Sequence, residues 1–393
     1  MSTRKALSLL VTVHLLVGCD RGSPLSGEIM VTDSSGVTTY EAPPDVQPAS
    51  WAVSEAPAMV IGDRDQPDGQ PLYEIRSGRL FDDGSFVIAN AGTHQVRFYS
   101  ARGDLEQAVG REGPGPEEFG SISFLEVAAD SVWLYDVNPR RISVISRGGT
   151  FGRVVRFDGM SFERPVGVIG VLGDGSVLVG HGDVPFTGEP GPRTHYERVY
   201  LVGPGGASTK LMGRFFESDT YWHAEGDALI DSGRPFGPEG LFFTHGEHWF
   251  YTAGRQYRVE QYDSNGELRA IYAYRSDPPR VREGDLDAFL DRMLEGYERP
   301  TAWELRLRRV PLPERIPAYA DLRVDHVGNV WARPHGGPDP ENCWHVYQRQ
   351  PALLAETCLP DHFDVLDIGE DAVLGVLRDE LDVEHVAVYR LLK

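Results

Sequence analysis

DGSFVIANAGTHQVRFYSARGDLEQAVGREGPGPEEF, running from Asp83 to Phe119, is the stretch whose reading decides the fold. It opens on an Asp-Gly turn and continues as a strand over 86–89, a polar loop and a second strand over 95–99. A turn centred on Gly103 and a third strand over 105–109 follow, before a Gly/Pro-rich exit. Short apolar runs separated by turn residues are the mark of antiparallel strands joined in a meander.

The same landmark, a turn followed by a strand, returns along the chain. It recurs at 129–131 with a strand over 132–135, at 173–176 with 177–179, and at 245–247 with 249–251. It recurs again at 326–329 with 330–332, and at 369–371 with 372–376. Where nothing is inserted the spacing is about 45 residues, the length of a four-stranded blade. Six such units predict an all-β chain, a six-bladed β-propeller of four-stranded antiparallel blades, over 28–393. The last unit has three strands of its own, near 363–366, 372–377 and 385–391. A strand from the N-terminal segment, 29–32 or 37–40, is therefore predicted to pair with 385–391 and close the ring by joining the two ends of the chain.

Three intervals depart from the repeat: 181–195, 215–240 and 277–317. In the last, Leu286, Phe289, Leu290, Met293 and Leu294 fall on one face of a helix, with Asp285 as its N-cap. A second short helix is predicted after Thr301, with Trp303 and Leu307 on one side. The aromatics at Tyr221, Trp222 and Trp249 suit a sugar- or peptide-binding surface or the core of a blade, and Trp249 opens a predicted strand.

The chain has 393 residues and a net charge of −21, or −23 without Arg4 and Lys5. So acidic a protein excludes sequence-independent nucleic-acid binding, which needs Lys and Arg to displace counterions. Arg4 and Lys5 precede a short apolar run, too brief to span a bilayer, in the pattern of a secretory signal peptide over 1–18. That run ends in Leu16-Val17-Gly18-Cys19, which resembles a bacterial lipobox. The resemblance implies cleavage before Cys19, lipid on its thiol, a tether over 19–27, and a place in the cell envelope on the periplasmic or extracytoplasmic side. The partner it implies is a membrane, reached through that lipid rather than through a spanning helix. Cys343 and Cys358 remain, and in an oxidising compartment they are predicted to pair across a hairpin turning at 349–352.

Gly110-Arg111-Glu112-Gly113-Pro114-Gly115-Pro116-Glu117-Glu118-Phe119 is similar to the linker of exported six-bladed propellers of the NHL and TolB-like kind, with Glu117 where that pattern has glycine. Tyr135-Asp136 through Arg141-Ile142 resembles the core of an NHL repeat, and 377–386 looks like the closing blade of such lipoproteins. Propellers place ligands at the channel or on the loops around its mouth. The residues expected there, each following a landmark strand, are Asn90, Asp136, His181, Arg333, Arg378 and Asp379. Similarity to lactonase-type propellers implies that Asn90 and Asp136 could serve as hard oxygen ligands for calcium; the same residue types also cap loops. His245 and His248 form a His-x-x-His spacing, placed at a glycine turn facing solvent. The chain has no nucleophile elbow, P-loop or dinucleotide fingerprint.

Two readings of function follow. The leading one is a non-catalytic, lipid-anchored propeller that needs no cofactor and recognises a protein partner or an extracytoplasmic ligand through its insertion-bearing face. The other is a hydrolase or lactonase using a divalent cation, calcium, at the channel.

Overall fold

The computed structural model describes residues 27–393 apart from 63–68, 70, 129, 158–166, 184–187, 207, 227 and 339. The segment predicted as a signal peptide, Cys19 and all of the predicted tether but Gly27 lie outside the described residues. No described helix is long and apolar enough to cross a membrane.

The chain is all-β, and among the described residues its strands form six sheets, each built on an antiparallel meander. Sheet one is Ile75–Leu80, Phe86–Asn90, Gln95–Tyr99 and Leu105–Val109. Sheet two is Ile122–Ala128, Ser131–Asp136, Arg141–Ser146 and Phe151–Arg156. Sheet three begins Gly167–Val171 and Val177–Asp183, then lengthens into Gly191–Val202, Thr209–Glu225 and Ala228–Asp231. Sheet four is Leu241–His245, His248–Thr252, Arg258–Asp263 and Leu268–Tyr274. Sheet five is Tyr319–Val324, Val330–Pro334, Cys343–Arg349 and Ala352–Cys358. Sheet six is Phe363–Ile368, Ala372–Arg378 and Glu384–Leu392.

The turns that mark the repeat are built by their side chains. At Gly84 φ is +81°, open to glycine at no steric cost. Asp83 accepts from the Ser85 amide and hydroxyl at 3.1 and 2.7 Å, which fixes the turn leading into Phe86–Asn90. Asp174 and Ser176 repeat this geometry at 2.7 and 2.9 Å, and Asp325 accepts the Asn329 amide at 2.8 Å.

The landmark strand is the second of its sheet, and a strand that the landmark does not announce precedes it. These six first strands adjoin one another in order, and the first strand of sheet six adjoins that of sheet one. A hydrophobic cluster fills each contact between consecutive sheets: Phe98 with Leu134, Trp133 with Val179, Val199 with Trp249, Tyr272 with Tyr347, and Trp344 with Phe363. The sixth cluster packs Phe86 and Ile88 of sheet one with Leu374 and Val376 of sheet six. Sheets packed radially in this way make a β-propeller. The second strands, covered on both faces, are the most buried; all five residues of Phe86–Asn90 are inaccessible.

The N-terminal segment differs from expectation. Val37–Ala42 pairs in parallel with Leu268–Tyr274, and Met30–Ser34 pairs on its outer side, so both belong to sheet four. Neither 29–32 nor 37–40 reaches the last strand. The reason lies in the side chains: Tyr40 stacks on Tyr272 at 5.1 Å and 7°, and Ala42 is fully buried beside them. Farther on, Ala49–Ser50 pairs with Ala352–Cys358, and Ala52–Val53 and Met59–Ile61 both pair with Glu384–Leu392. One extended belt thus runs over the outer edges of sheets four, five and six.

The elaborations share one face. The long hairpin of sheet three extends past Asp183↔Tyr196 to Gly191↔Trp222, at the end where the first strands begin. Between sheets four and five come helix α1 (Asp285–Met293) and helix α2 (Ala302–Leu307). Gly284 rather than Asp285 is the N-cap of α1, while the Thr301 hydroxyl caps α2 by accepting the Glu304 amide at 3.0 Å. Leu290, Leu294, Leu307 and Val310 bury against one another and against Tyr221 of the hairpin. Cys343 and Cys358 stand opposite each other on adjacent strands and are joined in a disulfide, with Arg349 and Ala352 flanking the turn.

Candidate functional site

At the face that carries the repeat turns, the six first strands end around one axial cavity of ≈ 370 Å³. Each sheet contributes to its wall: Leu80, Ala128, Val171, Phe243, Val324 and Asp367. Its polar groups are tightly held. Arg79, almost fully buried, forms a bidentate pair with Glu126 at 2.6 and 2.8 Å and donates to the Leu366 carbonyl at 2.9 Å, which ties sheets one, two and six together. Asp367 accepts from the Leu80 amide at 2.8 Å and bonds His326 Nε2 at 2.9 Å. The guanidinia of Arg79 and Arg323 lie 5.7 and 5.8 Å from the Phe243 ring centre.

Two histidines of this cavity are driven apart. Burial, and then the nearby His326, lowers the His245 pKa and keeps that ring neutral. The Asp367 hydrogen bond raises that of His326 against the effect of burial. Burial pushes the Asp367 carboxyl up, but His326, Arg79 and the Leu80 amide outweigh it and hold the group below its ordinary value. His245 is therefore half-buried in the cavity wall rather than turned to solvent, and His248 stands directly opposite it across a two-residue turn.

On the insertion face a second cavity of ≈ 330 Å³ lies between the 232–239 loop, the two helices and the start of sheet five. Its walls are aromatic: Phe236, Phe289, Trp303 and Tyr319. Phe236 is buried at φ +56° and meets the Phe289 ring at 5.4 Å. The loop turns at Gly237, where a Cβ would stand 2.9 Å from the Arg234 carbonyl oxygen and 3.0 Å from that of Asp219. Ser232, Arg234, Glu239 and His335 supply its polar groups.

The residues expected at the channel mouth stand within second strands, at their ends or just after them, and none of them lines the axial cavity. Asn90 is fully buried; it accepts the Tyr73 amide at 2.8 Å and donates to the Pro71 carbonyl at 2.8 Å. Asp136 accepts the amides of Gly120, Ser121 and Asn138 at 3.0, 2.7 and 3.2 Å. Both carboxamide and carboxylate are thus engaged chiefly by the segments that lead into the first strands of their sheets. His181 is buried opposite Arg198 within sheet three. Arg333 lines a cleft of ≈ 450 Å³ between sheets five and six, 5.9 Å from the Trp344 ring centre. Arg378 pairs with Asp364 and Glu384, and Asp379 caps its own turn by accepting the Leu381 and Val383 amides at 2.9 and 3.0 Å. Arg141 clamps the Gly/Pro-rich stretch 110–119 through the carbonyls of Pro114, Gly115 and Glu118. Among the described residues, the one group of three metal-ligating side chains close enough to share an ion is Cys343, Glu356 and Cys358, and its sulfurs are bonded to each other.

The residues that the sequence left unmarked are Arg79, Glu126, His326 and Asp367. The signal available for three of them was a charged residue inside a predicted or unannounced first strand, just ahead of a repeat turn.

No family model matches the chain, and no curated protein matches it. Solved structures do. A member of the duf4221 family from Bacteroides vulgatus shares 10% identity with a TM-score of 0.48, covering 93% of this chain and 99% of that one. An exported protein from Bacteroides fragilis shares 11% with a TM-score of 0.47, over 90% and 99%. Virginiamycin B lyase from Staphylococcus aureus shares 11% with a TM-score of 0.39, over 85% and 98%. They include an exported protein and an enzyme alike, and at this distance the likeness is one of fold alone.

Proposed function

We propose that the protein is an exported, lipid-anchored, six-bladed β-propeller of the NHL/TolB-like kind, closed by pairing of its N- and C-terminal strands. In this reading it works by binding rather than catalysis and takes a protein or another extracytoplasmic ligand on its insertion face. Support for the closed ring comes from the six successive first-strand contacts and from Met59–Ile61 lying on Glu384–Leu392. The observation that carries the function is that the long hairpin and the helical pair, the large departures from the repeat, pack together on one face, where the helices and the 232–239 loop line an aromatic-walled cavity.

Met293, Tyr297 and Leu305 expose 50%, 69% and 47% of their surface on that face, so changing them leaves the core intact. In a membrane fraction treated with a cross-linker, the wild-type chain is expected to capture a partner that the Met293→Ser/Tyr297→Ser/Leu305→Ser variant loses at unchanged melting temperature. Equal capture by both proteins would defeat recognition through this face. One observation favours the hydrolase reading instead: the axial cavity holds one neutral and one acid-stabilised histidine side by side. Lactone turnover that stops on chelation and returns with calcium would establish it over the binding reading.

A further inference from the structure

The insertion-face cavity has a more definite chemistry than the word ligand conveys. Arg234 and His335 border it and are partly exposed. Polar groups that an occupant strips of water and leaves unpaired cost about 1–3 kcal/mol each, so an occupant that supplies their partners is favoured. His335 accepts the Gly337 amide at Nδ1, 3.3 Å away, which leaves the proton on Nε2. Burial, with Arg333 and Arg292 nearby, lowers its pKa to about 4, so at neutral pH Nε2–H is an uncharged donor. Arg234 is steadied by the Pro311 carbonyl at 2.9 Å and by Asp219 at 3.9 Å, and still has donors to spare. Glu239 adds an acceptor at the rim.

The polar groups therefore include both donors and acceptors, with one cation balanced by one anion. A plain aromatic hydrocarbon would leave them unpaired, and an anion would meet Glu239. An extended peptide needs a groove, whereas this is a compact cavity of ≈ 330 Å³. A sugar ring answers each condition: hydroxyls that donate and accept along its edge, and an apolar C–H face for aromatic side chains. Phe236, held at positive φ by its packing on Phe289 and near His335, sets the wall before any ligand arrives.

We propose that this cavity is a saccharide site, taking one pyranose ring with its C–H face on Phe289 and Trp303 and its hydroxyls on Arg234 and His335. The proposal rests on the reading of the insertion face as the binding face. Saturation-transfer NMR on the exported chain would use cellobiose, maltose and N,N′-diacetylchitobiose as probes, with benzoate and indole alongside. At least one disaccharide is expected to show transfer to its ring C–H protons. Trp303→Ala should abolish the signal, and His335→Phe should weaken binding by up to roughly tenfold, the value of one hydrogen bond. If Trp303→Ala melts early, His335→Phe, which keeps a ring in place and removes the Nε2 donor, carries the test alone. No transfer from any disaccharide, or a signal indifferent to His335→Phe, overturns the proposal. Binding of benzoate or indole alone overturns it in favour of an aromatic ligand. A partner still captured through Met293, Tyr297 and Leu305 would then show that the binding face survives without the sugar.

Discussion

His345 lies among three tyrosine rings, with centres 6.0 Å from Tyr257, 5.8 Å from Tyr274 and 6.4 Å from Tyr319. Burial there lowers its pKa from 6.5 to about 4. A depressed folded-state pKa gives stability that is complete above the unfolded value and is lost as the pH falls towards the folded one. For such a shift the loss between neutral pH and pH 4 is roughly 3 kcal/mol. His345→Phe keeps a ring in the cluster and removes the titration. Its unfolding free energy is expected to fall less between pH 6.5 and 4 than that of the wild type; parallel curves would exclude His345 as a source of acid sensitivity. At this scale the sequence was readable where a residue caps backbone groups of loops at the end of its own sheet. Asn90 and Asp136 stand at strand ends, and loop capping was one of their two readings. It was silent where partners are far apart, since nothing local joins Arg79 to Glu126 or His326 to Asp367.

Among the elements, the second strands were legible because both faces are covered, which leaves an unbroken apolar run behind a turn fixed by Asp and Gly. Several first strands were missed for the opposite reason. One side of each meets the polar axis, so Arg79, Glu126 and Arg323 interrupt the pattern, and their neighbouring strands supply the missing apolar contacts. The hairpin of sheet five was legible from its cysteines. Its strands pair Cys343 with Cys358 at one end and Arg349 with Ala352 at the other, so the disulfide closes a short loop. In the entropic account such a loop contributes about 3 kcal/mol. The Cys343→Ser/Cys358→Ser protein should therefore unfold at a lower urea concentration than the oxidised wild type. Coincident midpoints would mean that the hairpin is held by its ladder alone.

For the whole molecule, the belt from residue 30 to residue 61 was the least legible part, because its partners are set by the edges of three distant sheets. A chain shortened to begin at residue 49 keeps the strands that cover Glu384–Leu392, whereas one beginning at residue 62 leaves that edge bare. The first should fold with a lowered melting point, and the second should lose its cooperative transition. Identical melting of the two would show that Met59–Ile61 does not secure sheet six. The belt also sets an order of events. Val37–Ala42 has only its hairpin mate Met30–Ser34 to pair with until Leu268–Tyr274 exists, and among the described strands Met59–Ile61 has no partner until Glu384–Leu392 does. Contacts so distant along the chain form late. In a chain threaded across a membrane from its N-terminus, the segment that emerges first is the one that must wait for the last. For a chain exported and closed as proposed, native closure would coincide with the end of translocation, and until that moment the polypeptide would stay loose enough to be passed through.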